Sequence, residues 1–575
     1  MARTLDVSSI ISPHQKATQI TNKWTEWNSF RRGWIEEKKE LRDYVYATDT
    51  TTTGNNKLPW SNSTTTPKLT QIFDNLKANY TASLFPNSKW LRWDATDEAG
   101  ATKAKRDIIQ TYIDNKLSQS DFRNVVDRLV DDFILAGNCF ATVEWANDFT
   151  ILESGEQVQG YVGPRMVRIS PYDIVFDPTA ADFANTPKIV RSIKTLGEVQ
   201  EEFEATGRME IFDEMMRVRE QVGTAQHTEK SEGFIADGFG SIENYYQSSY
   251  VEFLTFYGDM YDRAEGKLHR NRVITVVDRA YLVEDVANPS WLGKAPIFHA
   301  GWRSRPDNLY AMGPLDNLVG MQYRIDHLEN LKADVFDQIA LPMLKIRGDV
   351  EDFEYVPGGR IYIGEEGDVA PLVPDATALN ADFQIRSLEE KMEDLAGAPK
   401  AAMGLRSPGE KTAFEVQTLD NAANRIFNHK TAKFEMEFLE PALNAMLEAA
   451  RRNMNFVDTI AVVDDETGIQ LFRQITKEDI TAKGKIVPLG ARHFAERAQR
   501  IQTLTQIMQI KATDPTVAPH LSGKAIAKIL AEELREQSMY GENISVFEQM
   551  ETQKAALDAE AELQEDLQVK AEQGL

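Results

Sequence analysis

Apolar residues recur at helical spacing in three stretches of the second half of the chain. Leu315, Leu318, Ile325, Leu328, Leu331, Val335, Phe336 and Ile339 form one face behind Pro314, a favourable first-turn residue, and Pro342 closes the run. Ile385, Leu388, Met392 and Leu395 mark a second helix. A third runs from Phe414 through Leu419, Ile426, Phe434, Leu443 and Leu447 to about Asn453, roughly 60 Å at the usual helical rise. Pro441 falls inside it and predicts a kink, because its ring removes one hydrogen bond and crowds the preceding turn. Between the first two helices, "PMLKIRGDVEDFEYVPGGRIYIGEEGDVAPLVP" reads as a small β module turning at Pro357, Gly358 and Gly359. Between the second and third, Gly397, Gly404, Pro408 and Gly409 mark a loop that carries Lys400, Arg406, Ser407 and Lys411. Thr412 and Glu415 then form a capping box at the start of the third helix.

The first half is different. "FATVEW", "YVGPRMVRIS", "YVEFLTFYG" and "NRVITVVDRAYLV" make residues 140–300 strand-rich, while 205–245 is polar and "QVGTAQHTEKSEGFIADGFGS" (221–241) is expected as a loop. Near the N-terminus, Trp24, Trp27, Arg31 and Trp34 recur at helical intervals, either as a core face or as an aromatic-basic clamp for DNA. Helical spacing returns in 490–540, followed by an acidic tail of low complexity.

With 42% apolar and 27% charged residues, the 575-residue chain has a globular composition. A net charge of −25 argues against a protein that grips nucleic acid over its whole surface; it does not exclude a wall past which DNA slides, and the plainer reading of the acidity is solubility. The single cysteine, Cys139, allows no intrachain disulfide. "MARTLDVSSIISPHQ" lacks the apolar core of a signal peptide, and no stretch approaches the length of a membrane span.

Catalytic signatures are sparse. The eight histidines are scattered, with no pair at metal-binding spacing, so no metal or cofactor is expected. "VVDDETG" at 462–468 reads as a turn between strands. "GLRSPGEKT" nearly spells a phosphate-binding loop, but Glu410 separates Gly409 from Lys411, and a helix rather than a strand precedes it. An ATPase or an acid-rich nuclease is therefore a rival reading, and a monomeric tail adaptor another.

The order helix, β module, helix, basic loop, long kinked helix resembles that of the portal proteins, or head–tail connectors, of tailed bacteriophages. "LTQIFDNLKANYTASLFPNSKWLRW", "LAGNCFATVEW", "ISPYDIVFDPTA" and "APIFHAGWRSRPDNLYAMGPL" resemble further segments of that family in the same order, the third pointing to short-tailed phages. The resemblance implies an α+β portal fold: an N-terminal α/β wing over 1–313, stem helices at 314–341 and 376–396, and a clip at 342–375. It further implies a tunnel loop at 397–411, a wing helix with return strands at 412–485, and a crown with the acidic tail at 486–575. It implies a ring, expected to be a dodecamer, at one capsid vertex of the virion, assembled in the bacterial host cytoplasm. Double-stranded DNA is packaged and ejected through its channel. The partners implied are the major capsid protein, scaffold, the terminase large subunit and then a tail adaptor, with no membrane. Lys400, Arg406, Ser407 and Lys411 become candidates for facing DNA. In the clip, Asp349, Glu351, Asp352, Glu354, Glu365 and Glu366 form an acidic rim around Lys345, Arg347 and Arg360, expected as a docking face.

Overall fold

The computed structural model describes residues 14–46, 62, 64–85, 90–97, 102–151, 157–222, 250–262, 266–279, 281–348, 350, 361–372, 376–396, 425–463 and 470–490, with a few helical positions at 503–509 and 553. The fold is α+β. In the N-terminal half the helices are α1 (Gln15–Phe30), α2 (Arg32–Tyr46), α3 (Lys68–Leu84), α4 (Lys103–Gln119), α5 (Phe122–Leu135), α6 (Leu196–Thr206) and α7 (Met209–Val222). Beyond residue 300 follow α8 (Val319–Ala340), α9 (Asp382–Ala396), α10 (Arg425–Phe434) and α11 (Glu440–Asn453).

The largest core is helical and gathers around α5. Phe122, Val126, Leu129, Val130 and Phe133 repeat at intervals of three and four, so they share one face, and all are buried. Phe133 packs edge-on against Phe434 at 5.0 Å and against Tyr80 at 5.9 Å, which joins α5 to α10 and α3. On this core lies a three-stranded antiparallel sheet built from Asn138–Ile151, Gln157–Ile169 and Ile297–Gly301, with the first strand central.

The turn into that central strand needs glycine. Gly137 has φ of 71°, and a Cβ there would stand 2.5 Å from the Gly313 amide nitrogen. Asn138 next to it is fully buried. Its Nδ2 donates to the carbonyls of Ala136 and Ala311, and its Oδ1 accepts from the Ala311 amide. The "GN" pair thus fastens the segment leading into α8 to the heart of the sheet.

A second sheet has five antiparallel strands, in chain order Ile174–Phe176, Lys188–Thr195, Tyr250–Asp262, Lys267–Val277 and Tyr281–Ala287. Alternation along Tyr250–Asp262 divides its faces: Leu254 and Phe256 pack under α1, and Val251 and Phe253 pack under α6 and α7. Within the polar stretch 205–245, Met209–Val222 is helical, and the expected loop at 221–241 lies from residue 223 onward outside the described residues. Ile211, Phe212 and Met215 join that second face.

The N-terminal aromatic stripe is core. Trp24 and Trp27 are buried in α1. The Arg31 guanidinium, also buried, donates to the carbonyls of Pro171, Tyr172 and Ile174 and to Asn28 Oδ1. A clamp on external DNA would need these groups at the surface, and they are not there.

The long helix departs from straight α geometry where Pro441 predicts. Glu435–Leu439 is a π-helical turn between α10 and α11, closed by the Glu440 amide bonding five residues back to the Glu435 carbonyl. Proline has no N–H to give, and the wider turn makes room for its ring at the start of α11. Residues 412–424, with the expected capping box of Thr412 and Glu415, lie outside the described residues.

Candidate docking and channel elements

Helix α8 starts after a 3₁₀ turn, Asp316–Leu318, and stops at Ala340, where Leu341 caps onto the Asp337 carbonyl and Pro342 prevents continuation. A two-stranded hairpin follows. Met343–Arg347 pairs antiparallel with Asp368–Leu372, setting Lys345 opposite Ala370 and Arg347 opposite Asp368. A bridge between Val350 and Ile363 extends the pairing. Gly348, with φ of 78°, turns directly under Glu366, whose carbonyl a Cβ would strike. The chain returns through a 3₁₀ segment, Ala376–Ala381, into α9.

Two ion pairs hold the returning helix. Lys332 Nζ reaches Asp382 Oδ1 at 2.5 Å at the surface, and that hydrogen bond raises the ammonium above its ordinary range. Lys68 Nζ of α3 reaches Glu393 Oε1 at 2.6 Å with both side chains buried. Ahead of α8, the buried Lys38 ammonium pairs with Asp316. Burial lowers its pKa, against the pull of that carboxylate.

Of the expected docking residues, Lys345, Arg347, Glu365 and Glu366 are exposed on the hairpin. Asp349, Glu351, Asp352, Glu354, Gly358, Gly359 and Arg360 lie outside the described residues, as do the loop candidates Lys400, Gly404, Arg406, Ser407, Pro408 and Lys411. The acidic stretch 464–468 is outside too, but the strands beside it, Asp458–Val463 and Gln470–Ile475, pair antiparallel as a turn between them requires. Among the described residues no group of three or more His, Cys, Asp or Glu is placed to hold a metal ion, and no helix is long and apolar enough to cross a membrane.

Two features were not read from the sequence. Part of the apolar face assigned to α8 is uncovered: Phe336 is 63% exposed, and Leu331 is exposed as well. On the neighbouring elements Met343 is 70% and Phe383 82% exposed. The buried side of α8 carries Gln322, Asp326 and Asn330, polar residues that a binary pattern assigns to solvent; their signal is a strict spacing of four.

No curated protein matches the chain. The model of the family described as bacteriophage head to tail connecting protein matches residues 17–158. This region runs from α1 into the central strand that Asn138 fastens, and it is tied to both α8 and α9. The match supports a phage portal or connector protein.

Proposed function

We propose that the chain is the subunit of a portal ring, of about twelve copies, at one vertex of a phage capsid. DNA passes through the channel during packaging and ejection. The terminase large subunit docks first on the hairpin, and a tail adaptor replaces it; the α8–hairpin–α9 unit is then stem and clip. The observation that carries this reading is the apolar surface of that unit. Phe336, Leu341, Met343, Ile346, Leu372 and Phe383 are all exposed on elements adjoining in sequence. Met343 and Leu372 pair across the hairpin, and apolar exposure concentrated on one unit in this way marks an interface. One flank of the unit covering the opposite flank of a neighbour is a heterologous contact, which closes into a ring when the rotation fits.

The loop after α9 supplies Lys400, Arg406, Ser407 and Lys411 at the narrowest part of the bore, where they make weak, salt-screened contacts with phosphates. Elsewhere the acidic wall keeps DNA mobile. Replacing Lys400, Arg406 and Lys411 together by Ala is expected to reduce the DNA retained in filled heads; unchanged retention and packaging contradicts the contacts. ATP hydrolysis or magnesium-dependent nicking of DNA by the purified chain contradicts the portal reading itself.

A further inference from the structure

Helix α8 reads the main chain of a segment that runs alongside it. Asn330 Oδ1 accepts from the Thr64 amide at 2.8 Å, and its Nδ2 donates back to the Thr64 carbonyl at 2.9 Å. One turn earlier in the helix, Asp326 Oδ1 accepts from the Thr66 amide at 2.9 Å, and Gln322 Nε2 donates to the Thr66 carbonyl at 2.6 Å. Gln322 Oε1 takes the Leu69 amide at 3.2 Å, one of the free donors at the start of α3. At the other end, Asp334 Oδ1 accepts from the Asn62 amide at 2.5 Å, and Asp334 and Asp337 share the Asn62 side-chain amide.

The spacing explains the fit. Four helical residues rise about 6 Å. Two residues of extended chain advance about 6.6 Å. Side chains four apart on α8 therefore meet peptide groups two apart, with the segment antiparallel to the helix. Asn330 completes both peptide groups of Thr64 as a neighbouring β-strand would.

We propose that Gln322, Asp326, Asn330 and Asp334 form a main-chain-reading surface for an extended peptide, and that this chain's own Asn62 and Thr64–Thr66 occupy it as a detachable latch between the N-terminal region and α8. At 64–66 the recognition is of backbone rather than side chains, Thr64 being exposed and Thr65 and Thr66 only half-buried, and Asn62 adds its side-chain amide at one end. Asn62, Thr64, Thr65 and Thr66 carry no large apolar side chain and their release breaks no hydrogen bond within α8, so the latch opens as a local unit. This holds whether or not the chain forms a portal ring.

Amide hydrogen exchange on the full chain tests it. In Asn330→Ala the amides of residues 62–66 exchange about tenfold faster or more, the loss of a pair of hydrogen bonds, while amides of α5 and α8 keep their protection. Asn330→Asp, which keeps the acceptor but loses the donor, falls between. Thr64→Ala leaves protection of the segment unchanged. The proposal is overturned if Asn330→Ala leaves residues 62–66 as protected as before, if it deprotects α5 along with them, or if Thr64→Ala exposes the segment as fully as Asn330→Ala.

Discussion

Lys68 and Glu393 stand 325 residues apart in sequence and 2.6 Å apart in space, buried together where α3 meets α9. Lys68 lies inside the region that matches the connector family, and Glu393 on the helix that returns from the hairpin. Glu393→Leu leaves a buried ammonium without its partner and is expected to lower stability by about 3–5 kcal/mol. The double variant Lys68→Met/Glu393→Leu recovers most of that loss, because an apolar pair of similar volume suits the same site. Denaturant unfolding of the three proteins measures both; a double variant as unstable as the single one contradicts the account.

Arg31 is a structural tie. Its guanidinium joins the end of α1 to three carbonyls of one backbone turn, those of Pro171, Tyr172 and Ile174. Arg31→Lys keeps the charge but cannot reach all three carbonyls from one ammonium. The expected loss is about 3 kcal/mol, since bonds to charged groups are worth more than neutral ones and the abandoned carbonyls stay buried. DNA binding that falls with salt-dependent slope while the melting temperature holds would restore the clamp discarded above.

Asp326 makes the latch sensitive to pH. Burial pushes its carboxyl up to about 6, and its Oδ2 is buried without a hydrogen-bond partner among the described residues. Three ammonium groups on and around α8 are engaged elsewhere, Lys68 with Glu393, Lys38 with Asp316 and Lys332 with Asp382, while His327 beside Asp326 is exposed. Where release of the segment lets water reach Asp326 its carboxyl returns towards the ordinary 3.8, so the latched state holds the proton more tightly, its burial outweighing the Thr66 amide bond that pulls the other way. Latching is therefore firmest below about pH 4, weakens as pH rises towards 6, and is flat above. Protection of the Thr66 amide, corrected for intrinsic exchange, is expected to fall about tenfold or more between pH 4.5 and 7. Asp326→Asn removes that dependence. Equal protection of the native chain at both pH values contradicts this.

How much of this was legible in the sequence varied with what each residue needs to be understood. Leu315, Leu318, Ile325 and Leu328 announced α8 because their partners belong to the same chain, and all four are buried. Leu331 and Phe336 carry the same pattern yet remain exposed, since spacing marks a face without saying what covers it. Pro441 located the break in the long helix, but proline chemistry alone does not choose between a kink and a π turn. Helix α7 escaped because its polar surroundings outweighed a short apolar face of Met209, Ile211, Phe212 and Met215. Gln322, Asp326 and Asn330 escaped because their partners are peptide groups, which leave no trace in residue identity.

The hairpin offers a cleaner separation of docking from assembly. Glu365 and Glu366 are exposed and lie just outside the paired strands Met343–Arg347 and Asp368–Leu372. Glu365→Lys/Glu366→Lys is expected to weaken terminase and adaptor binding at least tenfold while leaving the oligomer intact. Undiminished binding of both partners places docking elsewhere.

The central claim is the ring, and electron-microscope images of the purified protein with mass by light scattering test it most directly. Closed rings with a central channel, at about twelve times the 65.0 kDa subunit mass, are the predicted result. Phe336→Glu and Met343→Glu, which charge the exposed apolar surface, are expected to abolish those rings. A native chain that stays a 65.0 kDa monomer at high concentration and in the presence of scaffold and capsid protein contradicts the claim.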